Sequence, residues 1–93
     1  MTLLDKLVGK NVFVRTVTHH FTGRLASHDA HFLELEEAAW EEAAWIADDG
    51  RFTQALANGS LDEVEPYPGT CLVATGALID VSEWLHALPR DQK

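Results

Sequence analysis

Residues 3–35 read LLDKLVGKNVFVRTVTHHFTGRLASHDAHFLEL, and the reading of this stretch decides the fold. A half-buried strand puts every second side chain on one face. On that basis Val12 and Val14 fall together, with Phe13, Arg15 and Val17 opposite, and Thr16 and Val17 supply β-branched bulk that suits a pleated surface. After the polar reversal Thr18-His19-His20, Phe21, Gly23 and Leu25 share a face while Thr22 and Arg24 look outward. Gly23 inside this pattern marks a strong bend or a close backbone approach. His28-Asp29-Ala30 makes the next reversal, with Asp29 able to hydrogen-bond the backbone of its own turn, and Leu33 and Leu35 then alternate with Glu34 and Glu36. The stretch therefore predicts strands over 11–18, 20–28 and 31–38. Ahead of them Leu3, Leu4, Leu7 and Val8 are spaced three and four apart, which predicts a short helix with Thr2 as N-cap and Gly9 as its stop.

Working outward, the next feature is a tandem Glu-Glu-Ala-Ala-Trp repeat, Glu36 to Trp40 and Glu41 to Trp45. A shift of five flips the faces of a strand and rotates a helical position by about 140°, so Trp40 and Trp45 cannot share one environment in a regular element. One copy fills the end of the third strand and the other is inserted, as a duplication or as an ordinary insertion. Asp48-Asp49-Gly50 then turns the chain into a helix over Arg51 to Asn58, closed by Gly59. Leu61 to Glu65 starts a strand that Pro66-Tyr67-Pro68-Gly69 breaks. Cys71 to Thr75 and Ala77 to Trp84 form a closing pair, with Val73, Ile79 and Val81 expected in the core.

With 93 residues this is one domain: helix at 1–9, three strands over 11–38, a variable insertion with a helix at 39–60, closing strands over 61–84 and a tail at 85–93. A hydrophobic fraction of 46% argues against disorder of the whole chain. The single cysteine, Cys71, excludes an internal disulfide framework and suits a reducing compartment. No apolar run approaches the length of a membrane span, and no secretion-signal layout opens the chain, so the expected location is the cytoplasm.

The Leu-Leu-x-x-Leu-x-Gly-Lys lead-in, Val-x-Val, Phe-x-Gly-x-Leu, the Asp turn and Leu-x-Leu together resemble the first motif of the Sm and Sm-like (Lsm) family. Cys71 to Ser82, CLVATGALIDVS, resembles the second motif, in which two short strands meet around a glycine, here Gly76. The middle Ala-Ala-Trp-Ile-Ala-Asp and Gly-Arg-Phe, with the terminal Leu-Pro-Arg-x-Gln-Lys, resemble phage-encoded Sm-like proteins. The resemblance implies a mainly β fold: a five-stranded, strongly bent antiparallel barrel with an N-terminal helix and a short helix between strands three and four. It also implies a homo-oligomeric ring of five to seven subunits joined edge to edge. Aromatic enrichment at interfaces and the closing strands direct attention to Trp40, Trp45, Leu72, Val73, Leu78 and Trp84 as interface residues, with capping of the barrel's own core an equal alternative for Trp84.

The resemblance also implies an RNA site. Asp29 matches the turn aspartate and His31 the stacking residue, but Phe32 stands nearest the place of the base-reading asparagine, and Thr75 precedes Gly76 where the family carries arginine. The candidate RNA-contacting set is thus Asp29, His31, Phe32, Thr75 and Gly76. A net charge of −8, from 15 acidic and 7 basic residues, works against phosphate binding as well. The expectation is a ring-forming structural or scaffolding protein that has lost the family's usual RNA site; the alternative is a divergent single-stranded RNA-binding ring.

Other chemistry finds less support. His19 and His20 are adjacent and so point to opposite faces of a strand, while His28 and His31 flank a turn where they could converge with Asp29; convergent metal spacing is missing, and no metal or cofactor is expected. The acidic pairs at 36–37, 41–42 and 48–49 are sequential surface neighbours rather than groups converging in a cleft. Cys71 has no evident base beside it, so no enzymatic activity is expected.

Overall fold

The computed structural model describes residues 3–17, 19–42, 51–59 and 64–89. The expected short lead-in helix is the 3-10 helix Leu3–Leu7, since five residues are too few to sustain α-helical propagation. Gly9 ends it at φ +86°, a conformation that costs glycine little. Leu4 and Leu7 pack on the core while Leu3 and Val8 stay exposed, so the lead-in buries half of its predicted apolar face.

Strands β1 (Asn11–Thr16), β2 (His19–His28) and β3 (Phe32–Glu42) form an antiparallel meander. The third strand continues past its expected end at Ala38 into the insertion region. Helix α1 (Arg51–Asn58) follows, with Gly59 at φ +72°. Then come β4 (Glu65–Pro66), β5 (Cys71–Ala74), a 3-10 turn at Thr75–Ala77 and β6 (Leu78–Glu83). The sheet runs β4-β3-β2-β1-β6, and β5 also pairs with β3. Both β4 and β5 run antiparallel to β3, on its far and near halves, with registers one residue apart. They are therefore two pieces of one edge strand that Pro66-Tyr67-Pro68-Gly69 interrupts, and the six segments reduce to five strands.

The bend lies where expected. Pairing slips between Thr22 and Arg24, so Gly23 faces a bulge in β3 at which Glu37 takes φ +53°. A Cβ on Gly23 would sit 3.2 Å from the Glu36 carbonyl and from Leu35 Cβ. Inside the bend, Val12, Val14, Leu25, Leu33, Leu35, Ala38, Cys71 and Val73 form the core, flanked by Phe21, Tyr67, Leu78 and Val81. Each fully buried Val or Leu there contributes about 1.5–3 kcal/mol.

The outer face of the sheet is covered too. Phe13, His20, Thr22, Ala39, Val64 and Trp84 are all buried. Thr22 was expected to point to solvent; Phe13, Ala39 and Val64 close over it instead. The tail holds this layer down. Trp84 Nε1 donates to the Ala87 carbonyl (3.0 Å), Asn11 Nδ2 to the His86 carbonyl (3.2 Å), and His86 Nε2 to the Leu56 carbonyl of α1 (2.8 Å).

Candidate functional site

Two turns meet at one end of the sheet. In the β2–β3 turn, Asp29 Oδ1 accepts hydrogen bonds from the backbone amides of His31 (2.7 Å) and Phe32 (2.8 Å), and the Asp29 amide donates to the Phe32 carbonyl (3.0 Å). The amides of His31, first, and Phe32, second, hold the Asp29 carboxyl below the usual aspartate range. The 3-10 turn between β5 and β6 closes on it: the Thr75 amide donates to the His31 carbonyl (2.8 Å) and Thr75 Oγ1 to the Ala30 carbonyl (3.0 Å). The five residues of the candidate RNA set are thus brought into one place, with His31 and Phe32 exposed at the tip. Gly76 has open space where a Cβ would go and no positive φ, so nothing local demands glycine there.

Beside these turns an open groove of about 260 Å³ is lined by Ser27, His28, Asp29, Phe32, Glu34 and Leu72. Its polar groups are engaged with one another. Ser27 Oγ donates to Glu34 Oε1 (2.7 Å), and His28 Nε2 to Asp5 Oδ1 (2.5 Å) of the lead-in turn. His28, which the sequence left able to converge with His31 and Asp29, has its imidazole on Asp5 instead. Among the described residues no three His, Cys, Asp or Glu side chains cluster as metal ligands. The carboxylates of Asp29 and Glu34 in the groove, and of Asp5 beside it, repel a phosphate backbone.

The expected interface residues separate. Leu72 is 58% exposed on β5, and Leu78 is half-buried against the core. Val73 lies within the core, and Trp84, 2% exposed, spends its ring on Phe13 (centroids 5.5 Å apart) and His86 (5.2 Å). Neither has a side chain left for a neighbour. Trp40 is half-buried with its ring edge-to-face on His19 at 4.7 Å, and Trp45 lies outside the described residues. Sequence reasoning placed Ile79 in the core, yet it is 58% exposed. The 3-10 turn and an irregularity opposite Arg15/Thr16 reset the alternation, so Leu78 and Val81 turn inward. Burial pushes the Cys71 thiol up, against a smaller opposite effect of its hydrogen bond with Tyr67, as befits a core residue and not a nucleophile.

A bent antiparallel sheet of five strands with the turns of β2–β3 and β5–β6 meeting at one end is the Sm-like fold. The chain is similar in structure to a heptameric archaeal Sm protein described for its implications for the eukaryotic snRNP core, with a TM-score of 0.57 and 28% identity over 86% of this chain and 93% of that one. It is likewise similar to the P. aerophilum SmAP1 heptamer, with a TM-score of 0.57 and 28% identity over 86% of this chain and 85% of that one. No protein-family model matches the chain, and no curated protein matches its sequence.

Proposed function

We propose that this protein is a ring-forming structural subunit of the Sm-like type, joining copies of itself through β5 and β6, and that it has not kept the family's usual RNA site. The observation that carries the reading is the pair of free sheet borders. Among the described residues β5 pairs only with β3 and β6 only with β1, and each border presents a large exposed apolar side chain, Leu72 and Ile79. Unpaired borders of this kind invite strand addition, and two different borders joined head to tail close into a cyclic assembly when the rotation permits. Heptameric architecture in both similar structures supports a ring of five to seven copies. Native mass spectrometry tests it: a closed oligomer is expected, and Leu72→Asp or Ile79→Asp should yield monomer. A wild-type monomer at micromolar concentration would overturn the ring.

A second reading, a divergent single-stranded RNA-binding ring, draws on the exposed His31 and Phe32 rings beside Thr75, since stacking on an aromatic contributes about 1–3 kcal/mol per base whatever the sequence. The acidic groove and the net charge of −8 weigh against it. Fluorescence anisotropy with uridine-rich and adenine-rich oligonucleotides separates the two. Tight binding that weakens steeply with salt and is lost in His31→Ala would establish the RNA site and remove the claim that it is missing.

A further inference from the structure

His20 sits in the middle of the outer layer with 6% of its surface exposed and its Nδ1 without a hydrogen-bond partner. Two residues along β2, Thr22 is buried with its Oγ1 unpartnered as well. Buried polar atoms are nearly always satisfied, so two orphans within one layer stand out. The rings above them form a relay: His20 packs edge-on to Phe13 (5.7 Å), Phe13 to Trp84 (5.5 Å) and Trp84 to His86 (5.2 Å), whose Nε2–H binds the Leu56 carbonyl. Phe13 lies against the imidazole, Val64 lines the same small cavity, and Trp84 backs Phe13, so two parts of this cover, Val64 and Trp84, come from late in the chain.

We propose that His20 is a pH-sensitive latch for this layer: as neutral imidazole it lets Val64, Phe13 and Trp84 close over the sheet, and as imidazolium its buried Nδ1–H requires an acceptor, which water supplies there only when the layer opens.

Among the charged groups whose side chains are described, none hydrogen-bonds the His20 ring. Arg15 of β1 is its register partner and carries a fixed positive charge; Asp80 of β6 is hydrogen-bonded to that arginine; His19 precedes it on its own strand; and on β3 the backbone of Glu41 stands opposite in the register. Burial, first, and then Arg15 hold the His20 imidazole below the ordinary histidine value, with Asp80 pulling the other way. Because the folded value lies below the unfolded one, the closed layer has its full stability above about pH 6.5 and loses it as pH falls toward the lower folded value.

Hydrogen exchange of the full chain, followed by mass spectrometry at about pH 7.5 and about pH 5 and corrected for the intrinsic rate, tests the latch under conditions where native mass spectrometry shows the same oligomer at both. Each unit by which the His20 midpoint is displaced changes the opening equilibrium about tenfold. We expect exchange at Trp84–Leu88 and across α1 to rise by about threefold or more at the lower pH while the β1–β2 core amides hold, and we expect His20→Leu to abolish that rise. Unchanged protection in the wild type, or the same rise in His20→Leu, would overturn the latch. Should the variant not fold, imidazole NMR of the wild type decides: a His20 midpoint below about 6.5 that coincides with release of the tail amides upholds it, and any other midpoint or a separate release overturns it.

Discussion

Replacing Thr22 by valine should make this protein more stable. Thr22 is 2% exposed, sits on β2 opposite Phe13 and Ala39, and keeps an Oγ1 that finds no partner under the cover of Val64. Threonine and valine have almost the same shape and share the β-branch, so neither χ1 freedom nor fit to the strand changes appreciably. What changes is a buried hydroxyl whose desolvation is uncompensated, a cost of about 1–3 kcal/mol in protein series. A gain of about 1–2 kcal/mol is the expected result, or a rise of about 4–8 °C in Tm per kcal/mol for a domain of this size. Urea titration at one fixed protein concentration reads it, because self-association makes apparent stability depend on concentration; an unchanged m-value would show that only stability moved. Thr22→Ser keeps the hydroxyl and loses the methyl, so it should be less stable than wild type by about 1 kcal/mol. The predicted order is Val, Thr, Ser. A valine variant equal to or less stable than wild type would mean that the hydroxyl is satisfied, and the account of an orphaned outer layer would fall with it.

At the bend, Gly23→Ala pushes a methyl to 3.2 Å from Leu35 Cβ and 3.3 Å from Ala38 Cα, where the backbone cannot yield, and should cost about 1–3 kcal/mol by the same titration. Glu37 occupies the left-handed region at φ +53°, so Glu37→Gly is expected to be neutral or stabilising by up to about 1 kcal/mol, whereas Glu37→Val should destabilise by about 1–2 kcal/mol. The Asp29 turn should be intact above about pH 4 and lost as pH falls through its lowered folded value, with the His31 and Phe32 amide resonances reporting the loss and Asp29→Ala lacking it at every pH.

Local chemistry made part of this structure legible in the sequence. Gly9 stops the lead-in at positive φ, Asp29 caps its own turn, Gly23 marks the bend, and α1 spans Arg51–Asn58 with Gly59 after it, each as the residue types require. The misses share a cause. Period-two reading assumes one wet face, but here both faces are covered, so Phe13 is as buried as Val12 and Val14 and Thr22 as buried as Leu25. The run Val12-Phe13-Val14 carries that signal, since a continuous apolar stretch marks a strand buried on both sides. Its covers, Val64 and Trp84, lie 51 and 71 residues further on, where no local pattern reaches. For the candidate site, the gathering of Asp29, His31, Phe32, Thr75 and Gly76 follows from the two motifs. The Asp5–His28 contact does not, because it depends on how the lead-in turn docks.

The repeated Glu-Glu-Ala-Ala-Trp poses a question that changes form once the register is known. Removing 36–40 or 41–45 leaves one and the same chain, so which copy is extra has no answer in the sequence; what can be asked is which contacts need the additional length. The first copy is committed throughout. Glu36 and Glu37 both bind Arg24, at 2.8 and 2.6 Å, Glu37 forms the bulge, Ala38 and Ala39 are buried, and Trp40 pairs with Phe21. Small residues are needed at that point, because Ala38 Cα lies 3.3 Å from where a side chain on Gly23 would begin. From the second copy, Glu41 and Glu42 extend the ladder to His20 and His19 by backbone pairing, which any residue but proline can supply. A chain with a single copy keeps all the first copy's contacts and puts Ile46 and Ala47 into those two register positions. If ladder pairing at those two positions is what the added length supplies, its unfolding free energy in urea should fall within about 1 kcal/mol of the full chain. A loss of about 3 kcal/mol or more would show that the added five residues carry packing of their own, and that the ladder alone does not account for them.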